Sequence, residues 1–182
     1  MPSHSANAVP ACTAPAPPTG DPALRPTLIM GVGNTLQGDD GVGVHALHWL
    51  HNALGARPGI HLYDAGTLGA TLLVEIEQTR RLIFIDAMRM NTAAGTVRCF
   101  EGAAMDQWLR RAQAGSVHEV SLGELLDMAR LLDRLPPRRA LIGIEPGPIG
   151  WGEHLSAELT SALPQIEHCV RDVLRRWTDE TA

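Results

Sequence analysis

From Thr27 onward the chain alternates short apolar runs with longer amphipathic stretches, and this alternation restricts the possible folds more than any single motif. The runs TLIMGV, IHLYDAG, RLIFIDAM, GTVRCFE and RALIGIEP have the length and composition of strands. The first, third and fifth are apolar enough to be buried on both faces. VGVHALHWLHNAL follows the first run, ATLLVEIEQ the second and MDQWLRRAQ the fourth, and all three carry helical periodicity. SLGELLDMARLLDRL precedes the fifth run, with Ser121 and Glu124 spaced as a capping box. A last helix is expected from about Ser156 to Trp177, kinked or divided by Pro164. Strands alternating with helices predict a single α/β domain: a twisted, largely parallel five-stranded sheet covered by helices on both faces.

The chain has 182 residues, 45% of them hydrophobic, which suits one core rather than two. The domain is expected over residues 27–178, followed by a short tail, 179–182. Residues 1–26 hold roughly half of the 13 prolines and almost no large apolar side chains. Such a segment buries too little surface to offset its ordering entropy, so it reads as a flexible extension. It lacks the basic start and apolar run of a signal peptide, and no later stretch has the length of apolar sequence that a membrane helix needs. The net charge of -5 leaves no basic surface for a phosphate backbone, which argues against nucleic acid as a partner. Cys12, Cys99 and Cys169 form no CxxC pair, which argues against a disulfide framework or a thiolate zinc site. The expectation is a protein of the reducing cytoplasm with no membrane insertion.

The stretch GVGNTLQGDDGVGV, Gly31 to Val44, follows the first strand. Glycine-rich turns at that place usually receive phosphate, because N–H groups and a helix N-terminus attract anions. Here the turn carries two adjacent carboxylates, Asp39 and Asp40. Asp64 ends the second strand and Asp86 the third. In parallel sheets ligands sit at the carboxyl ends of strands, so three strand ends offer acids to one crevice. Clustered carboxylates in low dielectric must share protons or hold a cation, and a metal is the economical answer. A Rossmann-like nucleotide-binding fold would use Gly31 and Gly33 as its phosphate turn and Asp64 against a ribose. Against it, the third glycine of GxGxxG falls on Leu36, and Asp39 and Asp40 stand where a pyrophosphate needs positive dipoles.

In this order and at these separations, GVGNTLQGDDGVG, DAGTLG, FIDAM, SVHEVSLGELL and LIGIEP resemble the maturation endopeptidases of nickel-iron hydrogenases. The GNxLxxDDGxG segment is the specific part; DAGT and LIGIEP alone are weak. The resemblance extends from Thr27 to the last helix. It implies a mixed sheet flanked by helices and a cytoplasmic protease, monomeric, that trims a short C-terminal extension from the hydrogenase large-subunit precursor after nickel insertion. It also implies that nickel is supplied by the precursor, although other divalent ions can occupy such a site. The family's metal-contacting positions correspond to Asp40, Asp86 and His118, and the aspartate implicated in activity to Asp64, with Asp40 beside it as a second catalytic carboxylate. Gly41, Gly66, Thr67 and Trp151 are the candidates for contact with the precursor. The chain reads DAGT where the family has DGGT, so Ala65 replaces a glycine.

Two carboxylates and an imidazole are acceptable ligands for nickel or zinc, and three protein ligands leave a position open. Gly41 and Gly43 would let the loop come close to a bulky partner, and Asn34 would tie the turn by side-chain hydrogen bonds. Other readings remain open. Asp39 also fits a cap of the following helix, Asp64 an Asx turn, and His118 a satisfied loop histidine. His45, His48 and His51 diverge around a helix and read as an amphipathic face. Trp49, Trp108 and Trp177 read as packing residues. EPGPIGWGEHLS, residues 145–156, is a long loop at a strand end, where function concentrates. No serine nucleophile elbow and no HExxH is present, so covalent catalysis is disfavoured. Either the metal positions the tail and Asp64 or a neighbouring acid acts as base, or the metal also polarises the scissile bond. The competing function is a nickel-dependent chaperone of the precursor without peptidase activity.

Overall fold

A computed structural model describes residues 27–67, 69–112 and 122–179. The elements run β1 (Thr27–Val32), α1 (Val42–Leu54), β2 (Ile60–Gly66), α2 (Leu73–Glu77), β3 (Arg81–Ala87), β4 (Val97–Glu101), α3 (Gly102–Ala112), α4 (Leu122–Leu131), β5 (Arg138–Ile144) and α5 (Ala157–Asp179). The five strands form one sheet in the order β2-β1-β3-β5-β4. All neighbours are parallel except β4, which runs antiparallel along β5. This is the mixed, mostly parallel α/β architecture expected from the sequence.

The pleat explains the two cores. Ile29, Ile83, Ile85, Ile142 and Ile144 point to one face and meet α1 and α5 through Ala46, Leu50, Ile166 and Val170. Leu28, Met30, Leu82, Phe84 and Leu141 point to the other and meet Ile76, Met105, Leu125 and Ala129. Successive strand residues alternate between faces, so a run such as TLIM must be apolar at every position when both faces are covered. The outer strands β2 and β4 are only partly buried, in keeping with their mixed composition.

Three expectations need correction. ATLLVEIEQ forms a 3-10 turn, Ala70–Leu72, followed by a helix of only five residues. The last helix is one continuous element through Pro164. Pro164 is exposed, while Leu159, Ala162, Leu163, Ile166, Val170, Val173 and Trp177 keep an unbroken stripe against the sheet, so the lost N–H falls on the solvent side. Trp49 is not interior: it is 39% exposed, and its Nε1 donates to Glu167 of α5 at 2.8 Å. Trp108 does pack, stacked on Phe100 with ring centroids 4.8 Å apart, and Trp177 is buried. The capping-box Ser121 lies outside the described residues.

The strand order positions the site. The chain leaves β1 toward β2 on one side, then returns across β1 to place β3 on the other. Connections from β1 and β3 therefore diverge in opposite directions, and in such sheets the carboxyl ends of strands at a reversal are where ligands bind.

Candidate active site

Asp40 and Asp86 stand at that reversal. Asp86 is the penultimate residue of β3. Asp40 belongs to a 3-10 turn, Gly38–Gly41, that links β1 to α1. The turn is set by Asn34: its side-chain Oδ1 accepts the Leu36 N–H at 3.0 Å, and its own N–H donates to Asp40 Oδ2 at 2.8 Å. Asn34 thus fulfils its expected role and also orients the carboxylate. Burial, with the Asp40 charge next to it, pushes the Asp86 pKa from 3.8 to about 7, against the opposing effect of the Ala87 N–H. Burial is the larger cause, and the contribution of the Asp40 charge places that carboxylate close to Asp86.

The glycines of the first motif make the approach possible. A Cβ on Gly43 would lie 2.2 Å from the Ile85 carbonyl oxygen and 2.3 Å from that of Val32. A Cβ on Gly33, whose φ is +130°, would lie 1.9 Å from the Asp40 carbonyl oxygen. The start of α1 is therefore seated directly on the ends of β1 and β3, bringing Asp40 to Asp86. Gly41 serves the same packing, since its Cβ would meet Thr35 Cα at 2.7 Å. The room expected for a partner at Gly41 and Gly43 is taken up within the fold.

Asp39 does not cap the following helix, whose N-cap is Gly41 with no side-chain cap bond. It is buried, and its two oxygens accept the Gly147 N–H at 2.9 Å and the Ser156 N–H at 2.7 Å. Ser156 in turn accepts the Leu159 N–H on Oγ at 3.3 Å, so Asp39 anchors both the loop after β5 and the start of α5. Adjacent aspartates therefore divide the work: one binds the frame and the other faces the crevice.

Asp64 lies on β2 two residues before its end, opposite Gly31 of β1. It is exposed, and its Oδ1 accepts the Gly66 N–H at 2.9 Å, the Asx-type turn that the sequence left open. Its other oxygen receives no bond from the described residues. Gly66 has φ +51° with nothing near its missing Cβ, and its carbonyl accepts the Gly33 N–H at 2.8 Å, which ties the DAG segment to the turn beneath Asp40. Thr67 is exposed beside it. His118 lies outside the described residues. Among those residues no three His, Cys, Asp or Glu side chains converge as a metal-binding group.

The sequence reading missed Glu145. It is buried to 4% exposure and accepts the N–H groups of Met90 (2.6 Å) and Thr92 (3.1 Å) and the Thr92 hydroxyl (3.2 Å). Burial alone would raise its pKa, but these bonds and nearby Arg89 hold it below the usual carboxylate value. Arg89 also donates to the carbonyls of Pro146 and Gly147, both at 3.2 Å. On the outer side of the loop, Gly152 N–H donates to Leu36 C=O (3.0 Å) and Gly38 N–H to Gly152 C=O (2.7 Å). This clasp leaves Leu36, Ile149 and Trp151 exposed at 50%, 43% and 88%. On α1, His48 and His51 are exposed, and His45 is held below its ordinary pKa by burial and by His48 and His154. The three do not converge as a ligand triplet.

The sequence profile of the HycI hydrogenase maturation protease family matches residues 44–173. The hydrogenase expression/formation protein HupD of Rhizobium leguminosarum bv. viciae is 33% identical over 162 residues, covering 88% of this chain and 79% of its own. The hydrogenase maturating endopeptidase HybD from Escherichia coli superimposes with a TM-score of 0.71 at 22% identity, covering 83% of this chain and 93% of its own. A hydrogenase 2 maturation peptidase from a Thaumarchaeota archaeon superimposes at 0.62 with 28% identity, covering 82% and 98%. The paired carboxylates and glycine-seated helix thus stand in a chain that belongs to the hydrogenase maturation proteases, a family of endopeptidases.

Proposed function

We propose that this protein is the endopeptidase that removes a short C-terminal extension from a nickel-loaded hydrogenase large-subunit precursor, acting in the cytoplasm as a monomer. The observation that carries the reading is the Asp40–Asp86 pair at the strand reversal, where burial and then the neighbouring Asp40 charge raise the Asp86 pKa to about 7. A fold retains such a repulsive pair where a cation or proton is to be received. Two carboxylate oxygens suit a divalent ion, and His118 would complete the set. The nickel arrives as part of the substrate and supplies a positive anchor that relieves this repulsion.

The chain's own groups then have distinct tasks. Asp40 and Asp86 grip and orient the precursor. Asp64, exposed and with one oxygen uncommitted among the described residues, accepts a proton from the attacking water and thereby acts as general base. Asp39 and Glu145 fix the loops on which these groups stand.

The deciding experiment is mass spectrometry of nickel-loaded precursor incubated with and without the protein. A fall in precursor mass by a C-terminal fragment is expected. A stable complex of unchanged mass would replace this reading with that of a nickel-dependent chaperone. Asp40→Ala, Asp86→Ala and His118→Ala are each expected to block trimming while the protein remains folded, and His48→Ala to leave it intact. Normal trimming by Asp40→Ala or Asp86→Ala would overturn the recognition role of the pair.

A further inference from the structure

β2 lies at one edge of the sheet. Among the described residues its ladder partners all lie on β1. The Thr27 N–H donates to the Gly59 carbonyl at 2.6 Å. In a parallel ladder of this register, that bond turns the main-chain groups of Gly59, His61 and Tyr63 toward β1. The N–H groups of Leu62 and Asp64, and the carbonyls of Ile60, Leu62 and Asp64, then point away from the sheet. Among the described residues these N–H groups find no acceptor and these carbonyls no donor. Natural edges are usually blunted by shortness, proline or charge. The opposite edge, β4, has five residues and carries Arg98 and Glu101. β2 has seven, with neither proline nor lysine, and its one carboxylate, Asp64, stands two residues before its end.

That edge leads into the active site. β2 is parallel to β1 and β3, so its carboxyl end emerges beside theirs, where Asp40 and Asp86 stand. Past Asp64 the backbone turns at Gly66, whose missing Cβ faces open space. A peptidase must present its scissile bond in an extended, accessible strand, and an edge without a partner among the described residues, with a carboxylate close to its end, supplies both the hydrogen-bonding template and the endpoint.

We infer that the outer edge of β2 is the docking edge for the scissile segment of the protein substrate, which adds to the sheet as a sixth strand and is led by it to Asp64. This rests on the peptidase reading above. The main-chain groups of Leu62 and Asp64 supply the binding, so the edge selects extended conformation rather than particular side chains.

The test compares Leu62→Pro with Leu62→Ala in the full-length protein, timing the mass change of nickel-loaded precursor. Both variants lose the leucine side chain. Only proline removes the outward N–H, a donor that β1 does not use. Leu62→Pro is expected to trim about tenfold more slowly than Leu62→Ala, the order expected for one or two lost backbone bonds. In parallel, hydrogen exchange of the wild-type protein with excess precursor should slow at the Leu62 and Asp64 amides. Equal rates for the two variants, or wild-type trimming without protection at these amides, would overturn the docking edge. If Leu62→Pro fails to fold, the wild-type exchange measurement decides. Protection at both amides without any loss of precursor mass would support the edge and defeat the peptidase reading instead.

Discussion

Asp39 and Gly147, 108 positions apart, are joined by a 2.9 Å hydrogen bond that fastens the loop after β5 to the turn carrying Asp40. With the second bond, to the Ser156 N–H, a single buried carboxylate holds three segments in register. Asp39→Ala would leave two N–H groups without their partner. The expected loss is about 2–4 kcal/mol in urea unfolding, with Asp39→Asn intermediate because it retains an acceptor. Unchanged stability in Asp39→Ala would show that the bond does not anchor the loop.

Asp86 gives the protein a pH signature. Its carboxyl holds a proton to about pH 7 when folded, against an ordinary value of 3.8. Between these values the native state binds a proton that the unfolded chain has released. The site's stabilising contribution is therefore complete below about pH 4 and declines as pH rises through about 7. Asp86→Asn is expected to flatten this slope and to raise stability near neutral pH by about 1–3 kcal/mol, while abolishing trimming. Parallel melting curves of the two proteins across this range would refute the assignment.

Gly43 and Gly66 provide a contrast between space and conformation. Gly43→Ala drives a methyl into the carbonyls of Ile85 and Val32, so a loss of about 3 kcal/mol or more and displacement of the α1 start are expected. Gly66→Ala meets nothing and has only its positive φ to bear, for about 1 kcal/mol. Thermal melts of both variants rank the two costs, and the reverse order would mean that the helix start is not seated as described.

Trp151, 88% exposed, has little to lose from the fold. Trp151→Ala should change stability by less than about 0.5 kcal/mol. If its indole meets the precursor, the same change should raise KM about tenfold with kcat nearly constant, as for an aromatic anchor. A trimming assay over a range of precursor concentrations reads both parameters, and an unaltered KM would remove Trp151 from the interface.

What the sequence made legible follows from range. The strands that carry Ile29 and Ile83 were readable because a parallel sheet covered on both faces demands unbroken apolar runs, a purely local signal. Asp40 and Asp86 were readable as a pair because strand ends in such a sheet converge. The partners of Asp39 lie 108 and 117 positions away, and nothing beside it in the chain distinguishes a buried tie from a helix cap. Glu145 was hidden for the same reason: its partners Met90 and Thr92 belong to another connection. Pro164 does not divide the helix, because a helix tolerates a missing donor on its wet side, a matter of orientation that depends on the tertiary arrangement.

The clasp between Leu36, Gly38 and Gly152, with Asp39 behind it, welds the two lips of the crevice into one piece. Two segments fastened in this way move together, so between them recognition does not call for independent closure. Adaptation falls to the incoming polypeptide, which must straighten to lie against a preformed surface and bears the loss of chain freedom itself. Under the proposed function, a substrate segment that is still packed would then be refused by shape alone.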